Sequence, residues 1–221
     1  MRIGTKQDQP AKRPRGRPRT YEPDVALRQA AKAFWKAGYA GTSLDDISAA
    51  TGMNRPSLRA AFGDKHEIYV KALRDYWSRT FAAIHEAFVG DKALGETLMR
   101  VYDAALSIYF SGDEQVLGCL VVATAITEAP GDAEIQDIVA EGFRKLDADF
   151  ETRFKYALKK GELEPGADTR ALAILATATM QTLSIRARSG TSRGELRKLA
   201  QKATNVMCSS TGRKNTNKRE A

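Results

Sequence analysis

Residues 42 to 65, TSLDDISAATGMNRPSLRAAFGDK, constrain the chain more than any other stretch, because two helix starts, a glycine turn and a helix stop fit within 24 residues. Ser43 with Asp46 three positions on is a capping-box-like start: the hydroxyl accepts from a first-turn amide, and the acid suits the positive end of the helix. Gly52 permits a tight turn, Asn54 is placed to cap the next helix, and Pro56 is tolerated because it falls in that helix's first turn. Gly63 then stops it. Leu44, Ile47, Met53, Leu58 and Phe62 would form a small core, which leaves Asn54, Arg55, Ser57 and Arg59 pointing outward. The pattern is a helix-turn-helix whose second helix carries side chains able to donate to phosphates or base edges.

The flanks extend the helical reading. Pro23 can open a first helix, with Glu22 and Asp24 at its positive end, and Leu27, Ala30, Ala31 and Phe34 recur on one face before Gly38 closes it. Asp64 and Glu67 form another box that opens a long fourth helix to about Val89, whose apolar positions are too widely spread for one small core. That helix links the reading head to a second core and acts as a lever between domains. Beyond Gly90 nothing alternates as a strand requires. Helices are expected over about 93–110, 114–128, 133–160, 169–188 and after the Ser192/Glu195 box, with Ala129-Pro130-Gly131 and Pro165-Gly166 as breaks. The fold class is therefore all-α: about nine helices, with an N-terminal three-helix unit at 21–67 joined by a long helix to a helical body at 68–208.

The formal charge of +8 is unevenly placed. Residues 1 to 20 carry +6, residues 209 to 221 carry +3, and the body between them is close to neutral. Attraction to phosphate is thus concentrated at the two ends. The first 20 residues are polar, basic and proline-rich and read as a disordered arm, as does the basic tail from 209 to 221. Within the arm, Pro14-Arg15-Gly16-Arg17-Pro18 matches the core of an AT-hook, in which Arg15 and Arg17 lie in a narrow minor groove and Gly16 lets the backbone sit deep. A merely solubilising basic tail is the plainer alternative.

Other chemistries find little support in the residues. His66 and His85 are the two histidines, neither has metal-ligand spacing, and no phosphate-binding glycine loop or nucleophile elbow is present, so an enzyme is not expected. No cofactor is implied. Cys119 and Cys208 are too few for a disulfide framework, and Cys119 reads as a small buried hydrophobe rather than a redox sensor. No apolar run approaches a membrane span, and the N-terminus lacks the apolar core of a signal peptide, so a cytoplasmic protein is expected, without a membrane partner.

Taken as a set, Gly38-Tyr39, Thr42-Ser43, Asp46-Ile47, Thr51-Gly52-Met53, Arg55-Pro56-Ser57-Leu58 and Phe62-Gly63-Asp64-Lys65 resemble the N-terminal signature of TetR/AcrR-family transcriptional regulators, over about residues 24 to 70. Arg59 departs from it, standing where the family usually places a tyrosine that commonly touches backbone phosphate. Here a charged donor either replaces that hydroxyl or remodels the contact. The resemblance implies a ligand-responsive regulator, most often a repressor, binding double-stranded DNA as a homodimer. Arg55, Ser57 and Arg59 would work at or near base edges, Thr42 and Lys65 would grip phosphates, and Ser43 and Asn54 belong to the same surface.

Further implications concern the body. The family places a small-molecule effector among helices 4 to 8, which here supply Trp77, Phe81, His85, Tyr102, Leu106, Tyr109, Cys119 and Phe143; a mainly apolar or aromatic effector would suit them, although aromatic stripes at helical spacing are usually core. Its dimerisation module pairs the last two helices of each chain. The matching positions are Leu172, Leu175, Thr179 and Leu183 with Leu196, Leu199, Ala203 and Val206, which periodicity alone does not separate from intramolecular core. A second class of function, an architectural protein acting on AT-rich DNA through its arm, would not need so large a helical body.

Overall fold

The computed structural model describes residues 22–112 and 115–209, so the AT-hook-like segment and the tail beyond Ser209 lie outside the described residues. Among the described residues the chain forms nine α-helices and no strand: α1 (Pro23–Ala37), α2 (Leu44–Thr51), α3 (Arg55–Phe62), α4 (Lys65–Phe88), α5 (Leu94–Tyr109), α6 (Ile126–Glu128), α7 (Ala133–Lys159), α8 (Thr169–Arg188) and α9 (Arg193–Ser209). None of these helices is long and apolar enough to cross a membrane.

The helix starts are chemically capped where the sequence places Ser, Asn or Asp. Asp46 N–H donates to Ser43 Oγ at 3.1 Å while Ser43 N–H donates to Asp46 Oδ2 at 2.7 Å. Asp64 and Glu67 repeat the box at α4, both bonds being 2.9 Å, and Asn54 accepts from Ser57 N–H at 2.9 Å. Asp132 and Asp168 cap α7 and α8 in the same way. Each cap satisfies an amide that the helix itself cannot.

Packing follows the apolar faces. Phe34 of α1, Ile47 of α2 and Leu58 of α3 are fully buried against Ile68 and Tyr69 at the start of α4. Further along α4, Leu73, Tyr76 and Ile84 are buried, Tyr76 meeting Trp35 of α1 edge-on at 5.2 Å; α4 packs against α5 and α7, and α7 along α8. One buried cluster therefore runs from Ala26 to Met207, with α4 passing through it. Two polar contacts reinforce the junction: Tyr69 and Thr124 share a hydroxyl hydrogen bond at 2.6 Å, and His66 Nε2 lies 2.6 Å from Asp132 Oδ2.

One expected helix is not as the sequence suggested. In place of a helix over 114–128, residues 115–119 run without helical pairing, Val121–Ala125 form a π-helical turn, and three residues of α6 and a 3₁₀ turn follow. The reason is tertiary. Leu117 and Gly118 N–H donate to Tyr109 O, Cys119 N–H donates to Ser184 Oγ at 2.7 Å, and Leu117 O accepts from Trp35 Nε1 at 2.9 Å. Gly118 has φ +69°, and a Cβ on it would stand 2.9 Å from Ser184 O. The segment is a strap that exchanges helical hydrogen bonds for ties to α1, α5 and α8, and Arg188 joins it by donating to both Trp35 O and Leu117 O at 3.2 Å.

Candidate nucleic-acid interface and effector site

The turn at Gly52, φ +67°, sets α3 across α2 so that Leu58 and Phe62 face inward and Asn54, Arg55, Pro56, Arg59 and Ala60 are exposed. Ser57 is half-buried beside them. This gathers Asn54, Arg55, Ser57 and Arg59 at the N-terminal end of a short helix, with Arg55 and Arg59, four positions apart, on one side of it. Among the described residues Arg59 pairs with no carboxylate. Arg55 does: its Nε donates to Asp45 Oδ1 at 2.6 Å and its Nη2 to Asp45 Oδ2, a two-point pair that raises the guanidinium pKa above its ordinary value. Asp45 therefore both aims Arg55 and offsets its charge. Lys65 Nζ lies 4.4 Å from the Tyr39 ring centroid, at the edge of the same surface.

Two polar residues of this region are occupied locally. Ser43 Oγ accepts from the Asp46 amide, and its O–H and backbone N–H both donate to Asp46 Oδ2, which holds the Asp46 carboxyl below its usual range. Thr42 corrects the sequence expectation: its side chain is buried, and its hydroxyl donates to Gly38 O at 2.7 Å and to Ala33 O at 3.3 Å. It therefore pins the α1–α2 corner from inside the chain, with its hydroxyl already donated to backbone carbonyls.

The expected effector residues divide among three places. Trp77, Tyr109, Cys119 and Phe143 border an enclosed cavity of about 20 Å³ between α4, α7, α8 and the strap. That is room for about one water. Trp77 and Phe81, with rings stacked at 5.2 Å, border an open groove of about 270 Å³ between α4 and α7. His85 stands apart from both, exposed at the end of α4 beside Phe88, Thr152 and Tyr156 in a groove of about 410 Å³. Tyr102 and Leu106 are fully buried and border none of these spaces; Tyr102 donates to Ala176 O and packs near Phe150. One turn of helix separates residues that share a face from those that share a cavity, so the stripe of aromatics grouped what the structure separates.

Sequence reasoning missed Tyr76, Thr80 and Thr177 at the enclosed cavity. The available signal was a threonine at each of two otherwise apolar helical positions. Burial pushes up the pKa of Tyr76, Tyr109 and Cys119, so all three are held neutral.

On α8 and α9, Leu172, Leu183 and Leu196 are buried within the chain itself, which corrects their expected place at an interface. Leu175 and Val206 are exposed, while Thr179, Leu199 and Ala203 are half-buried. Ile174 and Ile185 join the outer face: at 51%, 54%, 57% and 68% exposure, Ile174, Leu175, Ile185 and Val206 leave α8 and α9 with an uncovered apolar strip. Helix 8 is apolar all round, so periodicity could not say which half met its own chain.

A capped helix-turn-helix head on a larger helical body defines a DNA-binding regulator in architecture. Comparison with known proteins gives the family. Residues 26–72 match the bacterial regulatory proteins of the tetR family, and residues 96–203 match the tetracyclin repressor-like C-terminal domain. The chain belongs to the TetR family of transcriptional regulators, as a non-enzymatic DNA-binding protein. It is 32% identical over 200 residues to the HTH-type transcriptional repressor ComR of Escherichia coli K12, covering 90% of this chain and 94% of that one. It is 31% identical over 107 residues to the HTH-type transcriptional repressor BdcR of the same organism, covering 48% and 54%. Among solved structures, a cysteine mutant of the TetR-family regulator CifR complexed with 26-bp double-strand operator DNA superposes with a TM-score of 0.77 at 27% identity, covering 86% of this chain and 99% of that one.

Proposed function

We propose that the chain is a ligand-responsive transcriptional repressor that binds a palindromic operator as a homodimer in the cytoplasm. Residues 21–67 serve as its reading head and residues 68–208 as its effector-binding and dimerising body. The observation that carries the reading is the N-terminal end of α3, where Asn54, Arg55 and Arg59 are exposed and Ser57 half-exposed while Leu58 is fully buried. One such helix reads too few base pairs for a unique site, so two heads on a two-fold axis are needed, with recognition helices about 34–36 Å apart. The uncovered strip of Ile174, Leu175, Ile185 and Val206 supplies a self-complementary surface for that axis. Repression is favoured by the named function of ComR and BdcR, and operator binding by the CifR complex.

Effector response follows if a ligand prefers one of two arrangements of α4, because a ligand with equal affinity for both shifts nothing. The test is a footprint on DNA flanking the protein's own gene. Wild-type protein is expected to protect a discrete palindrome, and Arg55→Ala combined with Ser57→Ala to lose it. Protection unaffected by that pair overturns the assignment of α3.

A further inference from the structure

The enclosed cavity between α4, α7 and α8 is too small for an effector as it stands, yet its walls are chemically unfinished. Trp77 Nε1 and Thr177 Oγ1 are buried with no hydrogen-bond partner, and Thr80 Oγ1 lies near the Tyr76 hydroxyl without completing a bond of good geometry. Buried polar groups are normally bonded, so three on the border of one cavity call for an explanation beyond packing. Trp77 also divides this cavity from the outer α4–α7 groove. Its indole lies directly on the backbone of Gly142, where an added Cβ would come within 2.1 Å of Cε2. Phe81 stacks on it at 5.2 Å, and Phe143 meets it edge-on at 5.7 Å. Swinging the indole off Gly142 joins cavity and groove into a space near the lower end for small-ligand sites, about 300 Å³.

The geometry points to Trp77 as the inner door of the effector site, and to an uncharged, flat, mainly apolar effector carrying at least one hydrogen-bond acceptor such as a carbonyl oxygen. This inference rests on the ligand-responsive reading above. The indole N–H can only donate, whereas the two threonine hydroxyls can donate or accept, so an acceptor is the one ligand group that all three unpartnered atoms can answer. Neutrality follows from the lining. Tyr76, Tyr109 and Cys119 are held protonated by burial, and no side chain of the inner wall is ionised, so an ionic ligand would lose its hydration without a partner. The charged groups of the outer groove, Arg74, Glu141 and Lys145, all lie at its exposed rim, Arg74 and Lys145 paired with Glu134 and Asp149, so none of them reaches the inner wall. Trp77 belongs to α4, which follows the recognition helix after only Gly63 and Asp64, so a state with the indole displaced is one the reading head can register.

The test uses the full chain without DNA, titrated calorimetrically with four probes that share one ring: acetophenone, benzoate, benzylamine and ethylbenzene. Acetophenone is expected to bind saturably and roughly tenfold or more tightly than the other three. Thr177→Val should weaken acetophenone roughly 3- to 10-fold, the loss of one hydrogen bond, and leave ethylbenzene unchanged. Gly142→Ala, which evicts the indole, should tighten acetophenone. If that variant fails to fold, Trp77→Phe, which removes the N–H, should narrow the preference for acetophenone over ethylbenzene. Equal or tighter binding of any other probe, no saturable acetophenone binding up to millimolar concentration, or a Thr177→Val variant identical to wild type overturns the inference. A chain that binds acetophenone but keeps its grip on the operator with every ligand contradicts the ligand-responsive reading and leaves the site intact. Operator release by charged ligands alone does the reverse.

Discussion

Replacing Asp45 by Asn tests the recognition helix at the point where its charge is balanced. In the structure Asp45 takes two N–H donors of Arg55, so the pair presents almost no net charge to DNA. Both side chains are well exposed, and exposed pairs contribute little to folding, so the thermal midpoint should barely move. DNA binding should change much more. In a non-specific complex the freed guanidinium can neutralise a phosphate, and each phosphate neutralised steepens the fall of log Kobs with log salt by about 0.9. Two heads make that about 1.8 per dimer, or an additional loss of about 12-fold between 50 and 200 mM salt, starting from tighter binding at low salt. Specificity should fall at the same time, because Asp45 no longer fixes the direction of Arg55. The assay is fluorescence anisotropy on a random-sequence duplex across a salt series, with Asp45→Asn, Arg55→Ala and the double variant. The double variant should lose the extra slope. An Asp45→Asn slope equal to wild type would refute the idea that Asp45 masks Arg55.

Further outcomes follow from other contacts. Gly118→Ala should destabilise the fold by about 1–3 kcal/mol in urea titration, since it forces a left-handed residue to carry a side chain against Ser184 O. Asn54→Ala should cost about 1 kcal/mol of stability by leaving Ser57 N–H uncapped, and its loss of DNA affinity should exceed that of Thr42→Val, whose hydroxyl is turned inward. Hydrogen bonds from Ile135 and His66 to Asp132, from Ser43 to Asp46, and from Ser192 to Glu195 hold these carboxyls below their ordinary pKa. Their contribution is complete above about pH 4.5, the unfolded carboxylate range, and is lost as pH falls through the depressed folded values; urea midpoints should be level from pH 7 to 5 and drop below pH 4. Leu175→Glu with Val206→Glu should leave helix content unchanged and shift sedimentation toward the monomer.

Local chemistry was legible in the sequence and three-dimensional partnership was not. The starts at Ser43, Asn54, Asp64 and Asp168 could be read because a cap is settled within three residues, and the caps stand where the residues place them. The strap at 115–119 could not, since its hydrogen bonds go back over the turn to Tyr109 and, far away in sequence, to Trp35 and Ser184, and they outweigh a local helical preference. Thr42 looked like a phosphate donor because its type and position fit, but only the packed corner shows its hydroxyl answering Gly38 O. The body repeats the lesson. A helical stripe names a face, yet Trp77 and His85 of α4 border different spaces and Tyr102 of α5 is buried away from all of them.

The basic arm and the reading head make different demands on DNA, and symmetry separates them. Hydroxyl-radical protection of the operator, with sedimentation of the same complex to count chains, is the most direct measurement. Two equal protected patches about one helical turn apart, related by a dyad and holding two chains per duplex, are the expected result. Continuous protection of AT-rich sequence without a dyad, or one chain per site, would contradict it and favour an architectural protein working through its arm.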